Sequence, residues 1–205
     1  MKTLPGMLFL FALTLISFSL HAQRFHGGVM GGLAATQLDG DNLGGYNKPG
    51  VRVGGWVNTR VWPHNILQLE LEYIQKGSKV SESEIKSGKY YHSLLNYIQV
   101  SLVAKTSLMK RLTGETGLAG GYLTRSVEDK DGGGFIEPEP DDAFTQFEFS
   151  GLVGISYALS ENLAVNVRFN YSLLPVREHP GGQKWLLNRG QYNNAMLFSL
   201  YYRID

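Results

Sequence analysis

The chain has 205 residues, with 25 glycines, 11 tyrosines, 10 phenylalanines and no cysteine, and its formal net charge is +1. The missing cysteine excludes disulfides, thiolate metal sites and a lipid-modified N-terminal cysteine. The even charge balance excludes the one-sided basic excess of a nucleic-acid surface, and no apolar run beyond the N-terminal segment approaches the roughly 20 residues of a membrane-spanning helix.

The chain opens as an export signal. Lys2 supplies a positive start, residues 7–20 form an apolar run, and Leu20-His21-Ala22 ends it before Gln23. A signal peptide is expected over 1–22, with cleavage after Ala22, although Leu20 is larger than the residue usually found at that place. The mature domain is then 23–205. Removing Lys2 from the 19 Lys and Arg leaves 18 against 18 Asp and Glu, a neutral mature chain.

A first strand is predicted over 25–37, followed by a long loop at 38–49. In that loop Asp39, Asp41 and Asn42 offer oxygens of the kind calcium takes. Asp-Gly and Asn are also what tight turns use, and no twelve-residue calcium loop follows, so no metal site is expected. The second strand, 50–61, carries Arg52, Trp56 and Arg60 on its polar phase; Trp56 is expected to plug an interior or stack on arginine.

After a short turn at 62–65 the pattern is plain. Leu67, Leu69, Leu71 and Tyr73 oppose Gln68, Glu70 and Glu72 in a strand over 66–76. A long loop at 78–90 leads to the fourth strand, 91–107, and a short turn at 110–113 to the fifth, 114–125. The loop 126–143 holds Asp-Gly-Gly-Gly and Glu-Pro-Glu-Pro-Asp-Asp and is expected as a solvated segment, rather than as a site for cations.

The sixth strand, 146–157, sets Phe147, Phe149, Val153, Ile155 and Tyr157 against Gln146, Glu148, Ser150 and Ser156. A short turn at 160–162 leads to the seventh, 162–172, with Leu163, Val165, Val167, Phe169 and Tyr171 opposing Asn166, Arg168, Asn170 and Ser172. After the loop 174–191 the eighth, 192–204, keeps Met196, Phe198, Leu200, Tyr202 and Ile204 in phase.

Long and short connections alternate without exception, as they do in transmembrane barrels with short periplasmic turns and long outer loops. The fold expected is therefore all-β: an eight-stranded antiparallel up-and-down transmembrane β-barrel in the cell outer membrane, following a cleaved signal peptide. A soluble eight-stranded barrel would turn its apolar face inward. Here the apolar faces are large and close with aromatics. The polar faces mix Glu70, Glu72 and Glu148 with Arg52, Arg60, Arg168 and Arg203, so the polar face is expected inside as a paired ionic network. Eight strands leave an interior that side chains fill, so the chain is porin-like in build and not a general diffusion pore.

The run LDGDNLGGYNKPGVRVGGWVN at 38–58, with LQLELEYIQKGSK at 67–79 and YIQVSLVAK at 97–105, resembles the PorT-like outer-membrane barrel family of Bacteroidetes-type bacteria. The matching positions are Gly40-Asp41, Gly45-Tyr46-Asn47-Lys48-Pro49-Gly50 and Lys76-Gly77-Ser78. Ser101 stands where members often carry proline, and Ile204-Asp205 departs from the terminal aromatic of many barrels, although Tyr201 and Tyr202 sit just inside. The resemblance implies an eight-stranded outer-membrane barrel. The member that names the family acts in protein secretion and gliding.

For catalysis a nucleophile, a base and an orienting acid must meet. His26 and His64 fall at the periplasmic end. His92 beside Ser93, and His179 in the last loop, fall at the outer end, and no spacing singles them out. No catalytic, cofactor-binding or metal residue is assigned and no enzyme is expected. The reading is a barrel with a filled interior, surrounded by outer-membrane lipid and lipopolysaccharide, contributing to envelope structure or presenting its outer loops to a partner. Alternatives are an accessory part of a protein-secretion or gliding machine, contacting envelope proteins, or a narrow transport channel.

Overall fold

The computed structural model describes residues 24–41, 43–178 and 190–204. The expected signal peptide, Asn42, His179 and Asp205 lie outside them. The strands are β1 Phe25–Asp39, β2 Lys48–Trp62, β3 Asn65–Lys76, β4 His92–Ser107, β5 Leu112–Asp129, β6 Phe147–Ala158, β7 Leu163–Ser172, the two-residue β8 Arg177–Glu178, and β9 Gly190–Arg203. A single helical turn, α1 Glu82–Lys86, lies between β3 and β4.

Each long strand pairs antiparallel with its neighbour in sequence, and β1 pairs with β9, so the eight long strands close on themselves. β8 is a side strand on β9. Closure satisfies every ladder in the wall and leaves no open edge, which is the condition for crossing a membrane with strands. The short connections follow β2, β4 and β6, and the long ones follow β1, β3, β5 and β7, as the loop pattern predicts.

Two expectations need correction. β5 runs four residues past 125, because β4 continues to pair it through His92↔Asp129. The segment from Glu128 is therefore not wholly solvated: Glu128 and Asp129 are buried. Near the same end Thr124 is an extra residue between Asn96↔Arg125 and Tyr97↔Leu123, a bulge sealed by its hydroxyl donating to the Asn96 carbonyl at 3.0 Å.

The alternation has the predicted hand. Val53, Val57, Leu69, Leu71, Val100, Leu102, Val153, Ile155, Phe198 and Leu200 all lie exposed on the outer face. Arg52, Glu70, Glu72, Glu148 and Arg168 are buried inside. Such an apolar belt in water would be an aggregation surface; in lipid it is the solvated face. Phe25 and Trp62 stand exposed at the short-turn end, where aromatics meet a membrane boundary. Where strands approach most closely, glycine is required: a Cβ on Gly32 would sit 2.1 Å from the Phe198 carbonyl oxygen.

Candidate functional site

Inward-facing residues of all eight long strands build the interior, and its centre is a carboxylate. Glu70 on β3 accepts from both Arg168 Nη atoms of β7 at 2.6 and 2.9 Å, from Gln68 at 2.7 Å and from the Tyr201 hydroxyl at 3.1 Å. Arg52 on β2 donates to Glu72 at 2.6 Å and lies 3.5 Å from Glu70. Arg168 also reaches Glu115 of β5 at 2.8 Å, and Lys105 of β4 pairs with Glu115 at 3.0 Å. Glu115 further accepts from Asn166 at 2.9 Å and from the Ser156 hydroxyl. The two-pronged Arg168–Glu70 contact is the strongest geometry available to such a pair.

Toward the long-loop end the ammonium of Lys76 is held by Glu148 at 2.6 Å, Asn170 at 2.9 Å and Gln99 at 3.1 Å. Gln99 passes the chain on to Glu72 at 2.9 Å, and Asn193 donates to Glu148 at 2.8 Å. These bonds connect the Lys76 cluster to the central belt. Polar groups in a bore this narrow are costly unless paired, and these are paired across the barrel.

Above Lys76 the bore turns apolar. Leu38, Leu95, Tyr97, Ala195 and Leu197 form one cluster with Phe144 and Val176, which the long β5–β6 and β7–β9 loops supply. The loops are then clamped by charge. Arg177 lies over the Phe144 ring at 3.6 Å and pairs with Glu128 at 2.8 Å and Asp142 at 3.6 Å. Lys130 donates to Asp142 at 2.9 Å, a bond that raises its pKa, and the Tyr91 hydroxyl donates to Glu128. Loop residues thus stopper the outer mouth.

At the short-turn end Trp56 and Tyr201 meet with ring centroids 6.5 Å apart, beside Met30. Trp56 therefore plugs the bore as predicted, but its ring packs on tyrosine, and its indole N–H donates to the Val29 carbonyl at 3.2 Å. Below them opens a vestibule of about 300 Å³, with Arg60, Lys105, Arg203, Asn58 and Gln68 among its lining residues. Arg60 and Arg203, predicted for the interior network, line this mouth instead, because Arg60 is two residues from the end of β2 and Arg203 is the last residue of β9, beyond the central belt.

The remaining candidates are not brought together. His92 packs edge-on against Phe135 at 4.9 Å, while the Ser93 hydroxyl accepts from the Ser78 backbone N–H at 2.9 Å. His26 lines the vestibule at the opposite end. Asp39 accepts from Gln37 at 2.7 Å and Asn194 at 3.1 Å, and Asp41 from the Leu43 N–H at 2.8 Å, which is turn chemistry. Among the described residues no group of three or more His, Cys, Asp or Glu converges. Sequence reasoning missed Lys76, Lys105 and Glu115, all on the inward phase of their strands, and missed Phe144, Val176 and Arg177, whose loops carry no period at all.

The family model for the outer membrane protein beta-barrel domain matches residues 8–202. No curated protein matches the sequence. Among solved structures, Neisserial surface protein A aligns with a TM-score of 0.53 at 13% identity, over 88% of this chain and 97% of that one. Ail, the attachment invasion locus protein of Yersinia pestis, in complex with the heparin analogue sucrose octasulfate, aligns with a TM-score of 0.49 at 10% identity, over 88% and 99%. A de novo designed transmembrane β-barrel aligns with a TM-score of 0.42 at 13% identity, over 89% and 95%. At 13% identity the likeness to Neisserial surface protein A is one of fold.

Proposed function

Because the chain belongs to the outer membrane protein beta-barrel domain family and so resides in the outer membrane, we propose that it is a closed, non-enzymatic barrel that holds its outer loops as a platform for a partner. The observation that carries this reading is the double seal: an ion-paired belt fills the bore at Glu70, and Phe144 and Val176 stopper it from above. In an eight-stranded barrel such a filling takes the space that a wider barrel leaves to water. Binding energy is spent less on ordering when a surface is already held, and the Arg177–Glu128–Tyr91 contacts tie the β3–β4 and β7–β9 loops to the end of β5 before any partner arrives. The apolar belt makes lipid and lipopolysaccharide its surroundings in this reading.

The test is planar-bilayer conductance of purified protein. Steady open-channel currents would refute the filled barrel; their absence, with loops resistant to protease, is the expected result.

We also propose kinship with the PorT-like barrels, because the motif residues have structural work here. The Tyr46 hydroxyl donates to Asn194 at 2.7 Å, tying the first loop to the last strand. Gly77 takes a φ of 132°, and a Cβ there would sit 2.2 Å from the Ser93 carbonyl oxygen. Such ties support shared build. A role beside a secretion or gliding machine is tested by co-purification from native membranes, where recovery of the barrel alone would count against it.

A further inference from the structure

We propose that the vestibule at the short-turn end binds a small organic carboxylate that enters from the periplasm. Arg60, Lys105 and Arg203 line the cavity, and Glu161 is the one carboxylate among its lining residues. Glu115 lies deeper and is occupied: it is ion-paired with Lys105 and accepts from Arg168, Asn166 and Ser156.

Lys105 is the inner contact. Its ammonium is ion-paired with Glu115 at 3.0 Å and lies 4.9 Å from the Tyr201 ring centroid. An ammonium has three donors, and the side chain is 11% exposed at the cavity, so donors remain for a ligand. Arg60 is the outer contact, exposed at the rim on the last turn of β2 and paired with no carboxylate among the described residues. Its planar fork matches a carboxylate in two-pronged fashion.

The rest of the cavity sets the ligand's body. Trp56 and Tyr201 supply an aromatic floor, and Asn58, whose amide donates to Gln68 at 3.1 Å, supplies neutral polar walls. A volume of about 300 Å³ is at the small end of ligand sites. It suits a single ring or short aliphatic group bearing one carboxylate. Such a group has two sources, a free small acid or the C-terminal residue of a periplasmic polypeptide.

The experiment uses the full mature chain in nonionic detergent and fluorine NMR. One arm titrates 4-fluorobenzoate against 4-fluorobenzamide. The other titrates an acetylated tripeptide ending in 4-fluorophenylalanine, as free acid and as amide. The expected result is binding of the acid over the amide in at least one arm, weakened about tenfold by Arg60→Gln, the scale of one charge-assisted hydrogen bond. Arg60→Lys should keep part of it. A preference in the first arm alone identifies a free acid, and in the second alone a chain terminus. Because Arg60 lies at the exposed rim, R60Q should retain the heat-modifiable gel shift, which is checked first. Lys105→Gln provides a second variant read in the same way. Equal response to acid and amide in both arms, or acid binding unmoved by R60Q and K105Q, would overturn the proposal.

Discussion

Replacing Glu70 by Ala tests whether the interior is an ionic network or merely a polar filling. The carboxylate accepts two bonds from Arg168, one from Gln68 and one from Tyr201, and stands 3.5 Å from Arg52. Its removal leaves Arg168 with Glu115 alone and Arg52 with Glu72 alone, so the buried belt carries one uncompensated positive charge. Breaking a buried pair from one side costs about 3–5 kcal/mol, whereas removing both partners is often close to neutral. E70A is therefore expected to lose about 3–5 kcal/mol, and the pair Glu70→Met with Arg168→Met to lose much less than E70A. The assay is urea unfolding of protein reconstituted in vesicles, followed by tryptophan emission and by heat-modifiability. A loss under about 1 kcal/mol for E70A, or a double variant as unstable as the single one, would refute the network reasoning.

Four further outcomes follow from the same structure. Gly32→Val should abolish the folded gel band, since its Cβ would lie 2.1 Å from the Phe198 oxygen; a normal folded yield would contradict that register. Phe144→Ala should loosen the outer stopper by about 3–5 kcal/mol, the usual cost of a large aromatic deletion, and expose the β5–β6 loop to protease while the barrel stays heat-modifiable. Lys48 is buried at 1% exposure with no hydrogen-bond partner for its ammonium, so Lys48→Met should be neutral or stabilising; marked destabilisation in urea would show a partner in solution. Glu84 accepts from the Ser81 backbone N–H and hydroxyl, which hold its carboxyl below the ordinary 4.5. A depressed folded pKa means the α1 cap is fully present above 4.5 and lost as pH falls through the folded value, and Glu84 titrating at or above 4.5 by NMR would contradict it.

The wall was legible because its environment imposes a strict period. Lipid on one side and a narrow bore on the other force every second residue to one chemistry, so Leu69 and Glu70 declare their faces from sequence alone. Glu115 and Lys105 obey the same rule, each on the inward phase of its strand. The strand ends were less legible. β5 continues through Glu128 and Asp129 beyond the apolar band, because the gain there is pairing with β4 and an ion pair to Arg177, which leaves no trace in apolar spacing. The helical turn α1 did leave one, since Ser81 and Glu84 have the spacing of a capping box, but five residues are too few for a period to reveal.

The two ends of the bore differ in a way that bears on function. At the outer end the plug is borrowed: Phe144 and Val176 belong to loops, and they join the apolar cluster of Leu95 and Tyr97 only while those loops stay down. At the periplasmic end the plug is Trp56 against Tyr201, both carried by strands of the closed wall, so it is fixed wherever the barrel is folded. Anything that acts on this protein from outside can therefore reorganise what it meets, at the cost of unseating Phe144 and the Arg177 clamp. Anything that approaches from the periplasm meets a floor built from the wall itself. A partner of the loops should for that reason change protease access at 130–146, while a ligand of the vestibule should leave it unchanged, and the two kinds of binding are separable in one digestion experiment.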